Sequence, residues 1–281
     1  MNIKSKILKC PICNRHLSKN DKENVFKCDN NHSFDIAKQG YINLLMSNQN
    51  KAKIHGDSSE MLNARKEILF GGYYYGISNL LNKTIKSELN DINKSYNILD
   101  IGTGVGYYVK QLKDKLSRSN MTYYGIDISK PGINVAAKLD KDINFIVGSN
   151  SNLPYLKNSI DLIISIFSPL DESECERVLK DNGKLIVISP NRNHLIEIKK
   201  VVYPSIIEKR IDRNELLSKK LIKIQSRLYK EVVNIPKKDL KNLLLMTPHY
   251  WKSSKENKEN LYILDSLDVS IDIVLNVYQL N

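Results

Sequence analysis

Three thiols and an imidazole crowd the start of the chain. Cys10-Pro-Ile-Cys13 is followed by Cys28 and then His32, a C-x2-C-x14-C-x3-H spacing. Two pairs of soft or borderline ligands, separated by about a dozen residues, can close a tetrahedral Zn2+ site. The short C-x2-C knuckle turns backbone N–H groups toward its thiolates. Four protein ligands leave no position for water or substrate, so a site of this kind is structural. His16, three residues after Cys13, competes for the fourth position. Two separated pairs wrap an ion more readily than a local triple does, which favours His32. The alternative is reduced cysteines without metal, but the surrounding segment is short and polar and needs a staple to fold.

A second stretch has the grammar of a nucleotide site. Ile98-Leu-Asp-Ile-Gly-Thr-Gly-Val-Gly-Tyr107 is an apolar run ending in Asp100, with Gly102, Gly104 and Gly106 at alternate positions and a helical pattern beginning near Tyr107. A strand that runs into such a turn lets a nucleotide approach bare backbone. Asp127 closes the next apolar run, 27 positions after Asp100. A carboxylate there can accept both ribose hydroxyls of a bound nucleoside. The turn lacks the G-x-G-x-x-G register that cradles a pyrophosphate, and only the first half of a doubled dinucleotide architecture is evident. Both points favour S-adenosylmethionine (SAM) over a dinucleotide. A generic glycine turn is the bland alternative.

The elements that must position these residues follow from periodicity. From Tyr96 short apolar runs alternate with helical patterns, the mark of a parallel α/β sheet with helical crossovers. Strands are expected at 97–101, 123–127, 144–147, 160–166 and 184–189, with helices from Tyr107 to Leu116 and from Pro131 to about Leu139. A helix around Cys175 is expected to stop at Asn182-Gly183, with Cys175 itself a small packed residue. Upstream, Asp57 or Ser58 caps a helix that Gly71-Gly-Tyr-Tyr-Tyr-Gly76 breaks, and a second helix covers 77–89. Residues 47–53 read as a polar linker and 213–219 as helical. Strand-like alternation at 220–233 and 269–278 suggests an antiparallel edge hairpin, with a helix at 236–246 and a turn or short cap at 247–251.

The chain has 281 residues, 41% hydrophobic and 26% charged, enough for one large domain and a small one. The expected divisions are 1–45, 46–90 and 91–281. No apolar run approaches the roughly 18 residues of a membrane span, and the first residues lack the apolar core of a signal peptide, so a cytoplasmic location is expected. The net charge of +12 suits a polyanion such as nucleic acid, although a Lys- and Asn-rich genome would give the same balance.

Along nearly its whole length the chain resembles the RlmA-type 23S rRNA (guanine-N1)-methyltransferases. The matching residues are Cys10, Cys13, Cys28 and His32, the runs Phe34-Asp-Ile-Ala-Lys-Gln-Gly-Tyr41 and Gly56-Asp-Ser-Ser-Glu-Met61, Ala64-Arg65, Leu99-Asp-Ile-Gly102, Gly106-Tyr-Tyr108, Leu153-Pro154, His194-Leu195 and Met246-Thr-Pro248. The resemblance implies a small N-terminal zinc-binding domain that helps recognise rRNA, a helical connecting segment, and a class I SAM-dependent methyltransferase (Rossmann-like) domain. It places SAM contacts on Gly104, Val105, Gly106, Tyr74 and His194, beside Asp100, Gly102 and Asp127 from the motif itself. Where the family has Gly-Cys-Gly-Glu-Gly, this chain has Gly102-Thr-Gly-Val-Gly106, leaving at most a backbone contact at Val105. The implied target is N1 of a guanosine in a 23S rRNA hairpin loop, at position 748 or the neighbouring 745; the oligomeric state is open, with a homodimer as one option. Phe167, after the fourth strand, is a stacking surface for the base or a core residue. No catalytic base is identifiable; Asp57 and Asp171 are carboxylates without a motif. A SAM enzyme acting on a small molecule and a non-catalytic zinc-containing RNA-binding protein are the competing readings.

Overall fold

β-Branched and aromatic runs pair into one eight-stranded sheet that everything else is built upon. The computed structural model describes residues 6–46, 58–89, 91, 93–116, 120–205, 216 and 218–281. The chain opens with a small antiparallel sheet of β1 (Ser18–Asn20), β2 (Val25–Lys27) and β3 (Ser33–Asp35). Then β4 (Ile42–Asn43) leaves it to join the large sheet. Helix α1 (Ser59–Phe70) starts where Ser58 Oγ accepts a hydrogen bond from the Met61 N–H, satisfying one otherwise orphaned donor. Gly71 to Tyr74 turn the chain into α2 (Tyr75–Glu88).

The body alternates β5 (Tyr96–Ile101), α3 (Tyr107–Leu116), β6 (Met121–Asp127), α4 (Lys130–Leu139), β7 (Asn144–Val147), β8 (Ile160–Ile166), α5 (Glu172–Val178), β9 (Leu179–Pro190) and α6 (Ile196–Val202). It ends with β10 (Leu221–Pro236), α7 (Lys237–Leu245), α8 (His249–Lys252), α9 (Lys255–Tyr262) and β11 (Ser266–Leu280). The strand order is β10-β11-β9-β8-β5-β6-β7-β4. From β9 to β4 all pairs are parallel, while β11 runs antiparallel to both β9 and β10. The order reverses at β5, so the ends of β5 and β6 border the crevice where open α/β sheets bind ligands.

Two expectations change. The helix at Cys175 stops at Val178 rather than at Asn182-Gly183, because Leu179 already pairs with Ile160 of β8. Asn182, at φ +61°, lies in an irregular stretch of β9 where the pairing with β8 jumps from Leu179 to Lys184. The expected edge hairpin forms, but only β10 is an edge; β11 lies between it and β9. Asp57 and the linker at 47–53 lie outside the described residues, as does most of 213–219; the described positions there, Leu216 and 218–219, are not helical.

Alternation along the strands sends side chains to two cores. Ile98, Tyr123, Leu162 and Ile164 face a layer of helices that includes Ile77 and Leu81 of α2, Val109 and Leu112 of α3 and Leu243 of α7. Leu99, Ile101, Tyr124, Ile126 and Ile163 face the other way and meet Leu8, Leu17, Phe26 and Ile42 of the N-terminal module, with Cys175 and Val178 of α5. The module therefore occupies the place of a helical layer. Each fully buried Leu, Ile or Phe contributes about 1.5–3 kcal/mol.

Backbone bonds fix the module to the loop after β7. The Lys9 N–H donates to Pro154 O at 2.9 Å and the Leu156 N–H to Ile7 O at 2.9 Å. Arg177 holds that loop, donating from Nη1 to Tyr155 O (2.7 Å) and from Nη2 to Leu153 O (2.8 Å) while paired with Glu174. Arg177→Ala removes two charge-assisted bonds to these carbonyls and is expected to cost about 1.5–3 kcal/mol in urea unfolding. Arg177→Lys restores only part, because an ammonium lacks the guanidinium fork. A loss below the scatter of surface mutants would contradict this role.

Candidate active site and zinc centre

The four predicted metal ligands converge. One ligand atom each from Cys10, Cys13, Cys28 and His32 lies within 4.8 Å of all the others. Cys13 Sγ is 3.6 Å from Cys28 Sγ, and His32 Nδ1 is 3.6 Å from Cys10 Sγ and 3.4 Å from Cys28 Sγ. Zn–S bonds of about 2.3 Å and Zn–N bonds of about 2.0–2.1 Å at tetrahedral angles require S–S edges of about 3.8 Å and S–N edges of about 3.6 Å. The residues therefore fit Zn2+. Backbone N–H groups of Ile12 and Cys13 point at Cys10 Sγ, and that of Arg15 at Cys13 Sγ, as the knuckle geometry requires. His16 is turned away: its Nε2 lies 3.1 Å from Lys6 O and its Nδ1 3.2 Å from Ser18 Oγ.

The glycine turn hangs from the end of β6. The N–H groups of Gly102 and Thr103 donate to Ile126 O at 2.9 and 3.0 Å. Asp127 grips the turn from the other side: Oδ2 accepts from the Gly104 N–H at 2.8 Å and Oδ1 from the Ser129 N–H at 2.8 Å. Gly104 has φ +54°, and a Cβ built on it meets nothing closer than Arg65 Nη1 at 3.6 Å. A missing side chain thus opens this backbone toward a guanidinium. Gly106, at φ +79°, has the opposite reason for being glycine: its Cβ would lie 2.8 Å from that of Ala136. Val105 is 1% exposed and packs into the core, so only its backbone reaches the turn. Asp100 is buried and accepts from Thr103 Oγ1 at 2.6 Å; burial raises its pKa to about 7.

The remaining predicted residues form an aromatic wall joined to this turn. A Cβ on Gly102 would collide with Ser168 Oγ, so the segment after β8 lies directly against the turn. Its neighbour Phe167 stacks on His194 with ring centroids 5.3 Å apart and an interplanar angle of 27°. Tyr74 presents its edge to both rings at 6.3 Å. Phe167 is not a core residue: it is 40% exposed, and its φ of +53° is unusual for a bulky side chain. The Asp272 N–H donates to His194 Nδ1 at 3.3 Å. Burial lowers the His194 pKa to about 4, with Lys199 adding to the effect. At neutral pH His194 is therefore uncharged, with its hydrogen on Nε2.

Two residues complete the rim. Arg65 of α1 reaches across from the far side of the turn and donates from Nη2 to Met246 O at 3.3 Å. Its sequence signal is only the pair Ala64-Arg65, since nothing in the local pattern says where α1 will lie. Tyr108 is buried with its ring edge-on to Tyr107 at 5.0 Å, and its hydroxyl has no hydrogen-bond partner. The open backbone at Gly104, the Asp127 carboxylate bonded to it and the Arg65 guanidinium beside it, together with the orphaned Tyr108 hydroxyl, fit a ligand carrying a ribose diol and an anionic end. SAM has both. Asp171, by contrast, caps α5, accepting from Ser173 Oγ at 2.6 Å and the Glu174 N–H at 3.2 Å. Those bonds hold its pKa below the usual value, so it is no proton acceptor.

Two outcomes follow from this geometry. His32→Ala is expected to purify with substoichiometric zinc by elemental analysis, whereas His16→Ala keeps a full equivalent; equal zinc in both would overturn the ligand set. His194 and His249 both fall from 6.5 to about 4, each chiefly through burial. Between those values the unfolded chain takes up protons that the folded chain refuses, so stability is lost as pH falls from 6.5 toward 4. The double variant His194→Asn with His249→Asn should show a flatter melting temperature between pH 7 and pH 5. A slope unchanged from wild type would contradict the assignment.

Comparisons with known proteins agree with this architecture. Residues 8–53 match the zinc-ribbon family model described as RlmA, N-terminal, and residues 92–258 match a methyltransferase domain family. The chain is 25% identical over 273 residues to YxjB of Bacillus subtilis (strain 168), a protein assigned as a 23S rRNA (guanine-N(1)-)-methyltransferase, covering 95% of each chain. It is 28% identical over 192 residues to the 23S rRNA (guanine(748)-N(1))-methyltransferase of Streptomyces fradiae, covering 68% of this chain and 66% of that one. The methyltransferase-domain match, over residues 92–258, spans more than half the length of this chain. The protein therefore belongs to the methyltransferase-domain family and carries an RlmA-type zinc ribbon ahead of that domain.

Proposed function

We propose that this protein transfers a methyl group from SAM to N1 of a guanosine in a 23S rRNA hairpin loop. The observation that carries the reading is an RlmA-type ribbon hydrogen-bonded to a methyltransferase sheet beside its cofactor edge. The names of the two relatives support the rRNA substrate, and the Streptomyces fradiae protein supports position 748 over 745. In this reading residues 1–45 recognise rRNA, 46–90 connect, and 91–281 catalyse. An rRNA substrate puts the enzyme in the cytoplasm. A homodimer fits too: β10 is a 16-residue edge strand exposing Ile222, Ile224, Leu228 and Val232, the kind of edge a second copy covers.

SAM supplies the methyl group as an electrophile on its sulfonium. Asp127 would accept from the ribose hydroxyls, and the backbone of Gly102, Gly104, Val105 and Gly106 would line the cofactor. Asp100 braces the turn from below through Thr103. Arg65 would hold the α-carboxylate, and the Tyr74 and His194 rings would border the cationic end. Cys10, Cys13, Cys28 and His32 hold Zn2+ and keep the ribbon folded.

Guanine N1 lies on the pairing edge, so the target must be an unpaired loop base or one drawn from its stack. The exposed ring of Phe167 offers that base a surface, and its left-handed backbone swings the ring out of the core. Orientation then brings N1 in line with the methyl group, the step in which a positioned pair gains most. N1 also carries a proton, which would pass to solvent water as the N–C bond forms, the sulfonium S–CH3 bond breaks and its electron pair stays on the departing thioether. His194 cannot take it: Nδ1 already accepts from Asp272 and Nε2 carries its own hydrogen.

An N1-methylguanine blocks pairing and stops reverse transcription. Primer extension on 23S rRNA from a strain lacking this gene should lose a single stop in the hairpin; an unchanged profile would sink the reading. The small-molecule alternative predicts that unchanged profile, with SAM binding intact. The non-catalytic alternative predicts salt-sensitive RNA binding without SAM affinity. Gly104→Ala tests the cradle: its left-handed φ costs about 1–2 kcal/mol with alanine, and the added methyl enters the cofactor space. SAM affinity by calorimetry should fall at least about tenfold while the protein still melts cooperatively. Wild-type affinity would remove Gly104 from the site.

A further inference from the structure

The chain contains one tryptophan, and it stands in water. Trp251 is 67% exposed, although tryptophan is highly buried on average. It is held in place rather than left loose. Tyr250 meets it edge-on with ring centroids 5.1 Å apart, and Lys258 Nζ sits 4.1 Å over the Tyr250 ring. The Ser253 hydroxyl donates to His249 O at 2.7 Å, closing the short helix α8. His249 is itself anchored, with Nδ1 2.8 Å from Tyr203 Oη.

The position of this indole matters as much as its exposure. Helix α8 follows Met246, whose carbonyl accepts from Arg65 at the glycine turn. His249, two residues before Trp251, packs edge-on against Tyr203 at the end of α6, with ring centroids 5.6 Å apart. The segment that carries the indole is therefore tied at Met246 to the guanidinium beside Gly104, five residues before Trp251. Lys252 and Lys255 are exposed beside it, and Lys258 shares the Lys255 face of α9 at a three-residue spacing. Glu256 and Glu259 follow one position on and form the adjoining stripe. Aromatic surface interleaved with ammonium groups matches single-stranded RNA, whose bases each offer a π-face and whose backbone is anionic.

We infer that Trp251, flanked by Lys252, Lys255 and Lys258, is a stacking platform for an unpaired RNA base next to the one that enters the active site. The inference rests on the rRNA reading above. Drawing a guanine into a pocket breaks its stack with its neighbours, and the indole replaces that lost partner for one of them. Stacking of this kind tolerates any base, so the platform contributes affinity and register rather than sequence choice.

A single tryptophan makes the test direct. Wild-type protein is titrated with a hairpin transcript of the 23S rRNA loop while indole emission and gel-shift binding are followed together. Emission should be quenched with the same midpoint as binding. Trp251→Ala should weaken RNA binding roughly tenfold with SAM affinity unchanged, and Trp251→Phe should keep most of the wild-type affinity. Full RNA binding with unchanged emission would overturn the platform and leave the rRNA reading standing. So would a Trp251→Ala variant that loses SAM affinity or its fold, which would make the residue structural. Emission that shifts with protein concentration before any RNA is added would mark a contact between copies, and also overturns it. No RNA binding at any concentration would overturn the platform and the rRNA reading together.

Discussion

The carboxylate of Asp127 is the joint on which the site depends. It ends β6, accepts from Gly104 on one side and from Ser129 on the other, and so sets the glycine turn of β5 against the start of α4. Gly102 and Thr103 are tied to the same strand through Ile126 O. Bonds from N–H groups to an ionised acceptor are among the stronger hydrogen bonds available to a protein. Ser129 in turn caps α4 through its hydroxyl. One acidic side chain at a strand end therefore fixes the turn, the helix that follows and the open face at Gly104.

The same strand set ties the zinc centre to that turn. β6 pairs with β7, β7 with β4, and β4 is the tail of the ribbon. Leu8, Leu17 and Phe26 of the ribbon share a core with Leu99 and Ile126, whose strands carry the turn. A module of about 40 residues rarely builds a sufficient core alone. Here the metal closes one end of the ribbon, and the sheet supplies the apolar surface at the other. The ribbon and the strands that carry the glycine turn are thus parts of one packed core.

Much of this was legible because the responsible signals are local. The strands from β5 to β9 are short apolar runs, and Asp100 and Asp127 stand at or next to strand ends. The Cys and His spacing specifies a tetrahedron almost unaided. Asn182-Gly183 misled, since the same dipeptide that stops a helix also interrupts the regular pairing of a strand, and the pairing of Leu179 with Ile160 decided between them. The positions of Arg65, Tyr108 and Trp251 were not legible. They depend on where α1, α3 and α8 come to rest, which is a property of the assembled core. Phe167 was balanced between base stacking and burial until its positive φ and exposed ring placed it on the rim.

The central claim is a defined chemical event: one methyl group from SAM onto N1 of guanine in 23S rRNA. The most direct measurement uses purified protein, isotopically labelled SAM and an unmodified 23S rRNA transcript, followed by digestion to nucleosides and mass spectrometry. The account predicts label in N1-methylguanosine, at one equivalent per transcript, and in no other nucleoside. Label in a different nucleoside, or none in RNA from a protein that binds both SAM and the transcript, would contradict it.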